Sequence, residues 1–423
     1  MRLGIVPVLR EHPTVLLLAV STTLLTTGQG MVAPILPLYA DSLGVSLATV
    51  GLVISVFGLA RFPTNMPTAV LSERFGRRSV LVGGPLIAAA GNALAGTADS
   101  LAPLMVYRFI AGVGSAAFIT GAVIFIGDIS TPANRGRLMS VYQGSFALGI
   151  TLGPSMGGLI AEIFGLRGPF FAVGAVSLVS GIWAFFRVPE TRPSSDDADG
   201  RPQVGRQDGP VTQEGRWSRY SFLKSRDFIL VGLVLAAIFF TRGGAQFTLL
   251  PLKGSDELGL SPGQIGAIFT IPPVLAFLLL PFSGSVSDRF GRKKTIVPGL
   301  LIVSIAMMVL GASPALMLYA VGMTLFGLGN GIQGPTPVAY VADISPRARQ
   351  SIAQGAARSF GDLALLIAPP LMGLAADTYG ATTALVGNGA VVGVVGLAFL
   401  LFARESVTRQ PGTREERTGG RRV

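Results

Sequence analysis

Leu71-Ser72-Glu73-Arg74-Phe75-Gly76-Arg77-Arg78 and Val286-Ser287-Asp288-Arg289-Phe290-Gly291-Arg292-Lys293-Lys294 are two copies of one short basic loop, each following an apolar stretch. Glu73 and Asp288 lie 215 residues apart. The same interval separates Asp128-Ile129-Ser130 from Asp343-Ile344-Ser345, Gly44 from Gly259, and Pro154 from Pro369. Nearly the whole chain is therefore one unit repeated in register. Internal duplication is a mark of secondary transporters, whose substrate sites lie between the repeats.

The composition agrees. Half of the 423 residues are hydrophobic and only 13% are charged, with a mean hydropathy of +0.61. A soluble chain of this length could not cover so much apolar surface. Apolar stretches of about 20 residues, enough to cross a bilayer, recur twelve times between 14–36 and 382–403. The 56 glycines and 28 prolines are tolerated in membrane helices, where neighbours re-satisfy freed backbone groups.

A net charge of +11 invites a nucleic-acid reading, and its distribution rejects it. Only Arg167 and Lys253 fall on the outer side, and Arg61, Arg108, Arg242 and Arg358 lie within spans. The remaining Lys and Arg sit in the termini and the loops of one side. That asymmetry places both termini in the cytoplasm and favours contact with anionic lipid. No cysteine is present, which excludes disulfides, thiolate metal sites and cysteine nucleophiles; no metal or cofactor is expected. His12, before the first span, is incidental. The apolar run after Arg2 and Arg10 reaches Pro37 without a small-residue cleavage site, so it reads as a retained first helix.

The expected organisation is two six-helix halves, 1–187 and 227–403, joined by a cytoplasmic linker at 188–226 and followed by a tail at 404–423. The linker is rich in Pro, Gly, Ser and Asp and reads as a flexible tether. Its end, Arg216-Trp217-Ser218-Arg219-Tyr220-Ser221-Phe222-Leu223-Lys224, mixes aromatic and basic residues as a headgroup-level anchor does; a site for a regulatory protein is the alternative.

The repeated loop resembles the signature of the major facilitator superfamily, G-x-L-a-D-R-x-G-R-[RK], found between helices 2 and 3. Gly284, Asp288, Arg289, Gly291, Arg292 and Lys293 match it; the first copy has Ala69 and Glu73 at the leading Gly and the Asp. Three further stretches resemble motifs of the twelve-helix drug/proton antiporters in that family. They are Gly28 to Pro37 in helix 1, Arg108-Phe109-Ile110-Ala111-Gly112-Val113-Gly114 in helix 4, and Gly149-Ile150-Thr151-Leu152-Gly153-Pro154-Ser155-Met156-Gly157-Gly158 in helix 5. The resemblance implies an all-α membrane fold of two pseudo-symmetric six-helix bundles. It also implies a conformational gate made by Glu73, Arg74, Gly76, Arg77 and Asp128, mirrored by Asp288, Arg289, Gly291, Arg292 and Asp343. In that gate Glu73 would sit at the start of helix 11 and Arg77 near Asp128. Positive-inside anchoring alone is the plainer reading of the loop. Physically, Gly149, Gly153, Gly157 and Gly158 form a flat stripe for close helix approach, and Pro154 removes a backbone hydrogen bond.

A charge at mid-bilayer costs about 2.5–3.5 kcal/mol, so each one asks for a reason. Asp362 is the one acid placed near mid-membrane. Arg358 lies one turn before it, where an i, i+4 ion pair competes with proton carriage as the explanation. A carboxylate left desolvated when its partner moves is a workable proton carrier. Arg108, implied to be linked to proton coupling, is otherwise a structural tie to Gln29 or a backbone carbonyl. Helices 1, 4, 7 and 10 line the cavity in the superfamily, so Gln29, Arg108, Arg242, Gln246, Asn330 and Gln333 are its expected lining. Arg61 and Arg358 join them from helices 2 and 11. Interhelical hydrogen bonding is the alternative for Asn330 and Gln333. The excess of arginine favours anionic or amphipathic substrates. The expected activity is proton-coupled efflux of small molecules by a monomer in a bacterial inner membrane. A proton-driven importer or facilitator of a sugar or organic anion is the rival, and a non-transporting membrane sensor the second. An enzyme is excluded by the lack of catalytic side chains in the membrane.

Overall fold

A computed structural model describes residues 13–131, 134–191, 222–346 and 349–406. Among them, twelve helices are long and apolar enough to cross a membrane, and no strand is present. Spans 2 to 6 are Leu47–Phe75, Arg77–Ala95, Leu101–Ile129, Arg135–Phe164 and Gly168–Arg187. Spans 8, 9, 11 and 12 are Pro262–Phe290, Lys293–Ala312, Gln350–Tyr379 and Ala381–Phe402. The other three are broken. Span 1 runs Pro13–Val32 and restarts as Ile35–Asp41, because Pro34 ends the first piece. Span 10 runs Leu316–Gln333 and restarts at Thr336–Ile344 after Gly334, at φ +39°, and Pro335. Span 7 is Arg226–Phe240, a π-helix Thr241–Leu249, then Leu250–Asp256. The anchor segment expected from Arg216 lies outside the described residues as far as Ser221, as do 192–215 of the linker and 407–423 of the tail.

The turns repeat as faithfully as the sequence does. Left-handed backbone is cheap only for glycine, and it occurs at Gly44 and Gly259, Gly76 and Gly291, Gly165 and Gly380. Every pair is 215 residues apart. Ser46 and Ser261, at the same interval, cap spans 2 and 8 by accepting from the amides of Thr49 and Gln264. Each unit is thus cut into spans by the same devices.

In the first half, span 1 packs on spans 5 and 6, span 4 on spans 2 and 3, and span 3 on span 6. In the second, span 7 packs on spans 11 and 12, span 10 on spans 8 and 9, and span 9 on span 12. The halves meet along spans 2 and 11 and along spans 5 and 8. Exchanging the halves carries one of these seams onto the other, as a pseudo-twofold axis requires. Outward-facing apolar side chains such as Phe186, Met317 and Leu401 are 74%, 80% and 71% exposed, which suits a lipid rather than an aqueous surround.

Candidate functional site

The seams are closed at one end and open at the other. Away from the repeated loops, Ser55 Oγ donates to the carbonyl of Leu366 at 2.6 Å, and the Ser155 and Thr270 hydroxyls bond at 2.6 Å. Asp377, ending span 11, accepts from the Leu47 and Ala48 amides of span 2 at 3.1 and 3.0 Å. Glu162, ending span 5, accepts from the Gly263 amide of span 8 at 2.9 Å. Glu162 and Asp377 are repeat mates, each a carboxylate on the positive N-terminus of a helix from the other half. Glycines permit this approach: a Cβ on Gly158 would lie 2.8 Å from the Cα of Gly266. Toward the repeated loops the same four spans separate. Met66, Phe75, Phe282 and Leu363 are 59–78% exposed there, and added Cβ atoms at Gly58, Gly144, Gly284 and Gly355 would meet nothing within 4 Å.

On the open face, each signature loop is tied within its own half. Arg77 Nε donates to Asp128 at 2.8 Å and Arg292 Nε to Asp343 at 2.9 Å, as the resemblance implies. Arg77 also donates to the Ser72 carbonyl, and Arg292 to the Ser287 hydroxyl. Arg74 and Arg289, both exposed, lie over the rings of Phe75 and Phe290, each at 5.4 Å. Burial works against the Arg292 charge, but Asp343 and Asp288 outweigh it and hold the guanidinium above its ordinary pKa. Glu73 is exposed and makes no hydrogen bond or ion pair, to span 11 or elsewhere, among the described residues. Asp288 bonds Arg292 of its own loop instead of the other half. Both departures have one cause, since the halves stand apart on this face.

Sequence reasoning missed the carboxylates that complete these ties. Glu190 accepts from the amides of Arg77 and Arg78, and Glu405 from those of Arg292 and Lys293, at 2.7–3.2 Å. The hydroxyls of Thr191 and Ser406 donate to Asp128 and Asp343. Glu190-Thr191 and Glu405-Ser406 are again 215 residues apart, a signal present in the sequence.

The glycine stripe packs as its spacing suggests. A Cβ on Gly30 of span 1 would lie 2.9 Å from the Cα of Gly153, and one on Gly157 would lie 2.6 Å from the Cα of Met31. Gly149 faces Thr23, Thr26 and Thr27, while Gly158 turns to span 8. Pro154 is buried beside Gly30.

The residues expected to line the cavity separate into distinct groups. Arg108 is 6% exposed. One of its terminal nitrogens donates to Asn92 of span 3 at 3.3 Å, its guanidinium lies 4.6 Å from the centre of the Phe57 ring, and its Nε has no partner among the described residues. Gln29, the alternative partner for Arg108, instead bonds Ser115 at 2.6 Å. Gln333 is buried against Gly299 of span 9 and donates to Asn330, which donates to the Phe326 carbonyl. Both bonds stay within span 10, so neither residue makes an interhelical hydrogen bond among the described residues, and the Gln333 carbonyl oxygen has no partner there. Gln246 is buried in the π-helix, and Arg242 is exposed with Phe239 6.0 Å away. The π-turn itself carries a bond from the Thr248 hydroxyl to the Gly243 carbonyl, and Gly243 and Gly244 let span 11 approach. π-Helical turns are frequent at functional sites.

Among the described residues, Arg358 and Asp362 do not form the i, i+4 ion pair that is one of the two readings of their spacing. Both are exposed at the opening, where hydration competes with a pair worth about 0–1 kcal/mol. Asp362 instead interacts electrostatically with Arg61 across the seam.

Comparison with known proteins agrees with this geometry. A sequence model of the Major Facilitator Superfamily matches residues 18–254 and 234–422. The chain is 23% identical to an uncharacterized MFS-type transporter of Methanocaldococcus jannaschii over 88% of its own length and 93% of the relative's. It is 25% identical to Multidrug resistance protein 2 of Bacillus subtilis over 68% and 70% of the two chains. In structure it resembles a bacterial homolog of the human lysosomal transporter Spinster in an inward-facing, occupied conformation. The TM-score is 0.77, at 15% identity, with 92% of this chain and 96% of the other covered.

Proposed function

The chain belongs to the Major Facilitator Superfamily, a family of transporters and not enzymes, and from that premise we propose that it exports small molecules in exchange for protons. The observation that carries the proposal is the asymmetry of the seams. They are latched by repeat-related carboxylates at one end and open at the other, the arrangement alternating access requires. With the signature-loop face taken as cytoplasmic, this conformation is inward-open, and both termini lie on the cytoplasmic side of a bacterial inner membrane. The monomer contacts lipid around its whole girth.

Proton coupling is assigned to Arg108 and Asp362. Arg108 is a buried cation without a carboxylate partner, and Asp362 is an acid exposed to the opening, so a proton on Asp362 alters the charge balance of the cavity. Efflux is supported by the similarity to Multidrug resistance protein 2 and by the glycine stripe of span 5 on span 1. Inward proton movement is driven in addition by about 2.3 kcal/mol per charge per 100 mV of membrane potential. The second reading is proton-linked uptake of an organic anion, favoured by the excess of intramembrane arginine.

Purified protein in vesicles with an imposed pH gradient separates them. Proton movement opposite to the substrate supports export, and movement with the substrate supports uptake. Absence of both would leave a sensor that keeps the fold.

A further inference from the structure

Arg61 of span 2, Tyr142 of span 5, and Arg358 and Asp362 of span 11 converge where the seam opens toward the signature-loop face. Spans 2 and 11 run antiparallel, with Leu47 at Asp377, Gly51 at Pro369 and Ser55 at Leu366, and this register continues to Arg61 opposite Arg358 and Asp362. The charges of these three, and of Tyr142 beside the arginines, act on one another. Arg358 and Asp362 are exposed, Arg61 is partly so, and Tyr142 is buried. The two guanidiniums come from different halves, and neither takes part in an ion pair among the described residues.

This arrangement has an unmet electrostatic demand. Guanidinium does not lose its proton in proteins, so the two arginines remain charged in every state of the cycle. One carboxylate neutralises one of them. In the open state water meets the demand. When the halves close on this face, water leaves, the effective dielectric falls, and repulsion between Arg61 and Arg358 grows. An anion between them would turn that repulsion into two charge-assisted contacts. The walls beside the cluster are apolar and open, with Leu363 59% and Met66 78% exposed.

We infer that the substrate is a small organic anion, a carboxylate or sulfonate on an apolar body, whose charged group is held between Arg61 and Arg358. Asp362 is its internal competitor for the two arginines. The inference rests on the opening between the halves being the substrate cavity, and it is independent of transport direction.

Binding of naphthalene-2-sulfonate and of its cationic counterpart 2-naphthyltrimethylammonium to purified protein in neutral detergent tests this without any gradient. The sulfonate is expected to bind at least about tenfold more tightly. Arg61→Gln and Arg358→Gln are each expected to weaken it about tenfold, the effect of one charged hydrogen bond. Asp362→Asn is expected to strengthen it, a gain that misfolding could not imitate. Arg187→Gln, at the end of span 6, is expected to change nothing. Tighter binding of the ammonium would overturn the inference, as would sulfonate binding indifferent to all three cluster variants. Displacement of the sulfonate by phosphatidylglycerol would assign the site to a lipid headgroup and overturn it too. Sulfonate selectivity without proton flux in vesicles would sink only the export reading.

Discussion

Replacing Asp377 by Asn removes the charge from the latch between spans 11 and 2. In the closed seam this carboxylate accepts from two consecutive amides at the start of span 2, at 3.1 and 3.0 Å. A carboxylate at a helix N-terminus contributes about 0.3–1 kcal/mol when exposed. With two direct bonds the upper end applies, so the loss is about 1 kcal/mol. That is roughly a fivefold shift in the ratio of seam-open to seam-closed molecules. The natural absence of cysteine makes the assay clean. Ser55→Cys places one thiol in the closed seam, where the native serine is 7% exposed. Maleimide labelling of that thiol should proceed about fivefold faster when Asp377→Asn is added, in proportion to the seam-open population. Glu162→Gln, acting on the mirror latch, should add to the effect. Equal labelling rates with and without Asp377→Asn would refute the latch.

Asp128→Asn strands the largely buried Arg77, so thermal unfolding in detergent should show a loss of about 3 kcal/mol. The more exposed Asp343→Asn should cost less. Gly153→Leu forces a side chain into the backbone of Gly30 and should lower stability by at least about 1–3 kcal/mol, visible as reduced yield of monodisperse protein.

Much of this architecture was legible because the duplication is long and the helix breakers are chemical necessities. Gly76 and Gly291 can be read as turns since the chain must reverse there with left-handed backbone. Arg77–Asp128 and Arg292–Asp343 follow from basic loops facing acidic helix ends. The mirrored carboxylates Glu162 and Asp377, and Glu190 and Glu405, carry the same 215-residue signal, but at helix ends acids look like ordinary solvated residues. The π-turn at Thr241–Leu249 left no mark beyond Gly243-Gly244, which face span 11. Arg358 and Asp362 illustrate a different limit. Their spacing permits an ion pair, and whether it forms depends on which face of the molecule is open. Two states separated by a few kcal/mol share one sequence, so the choice between them is conformational.

Distances between spin labels on both faces test alternating access most directly. One pair, Met66→Cys with Leu363→Cys, spans the opening, and the other, Ser42→Cys with Glu257→Cys, spans the closed end. Rocking of two bundles predicts two populations in each pair, with the long distance at one face accompanying the short distance at the other as pH or ligand is varied. A single unchanging distance at both faces, or distances that lengthen together, would contradict it.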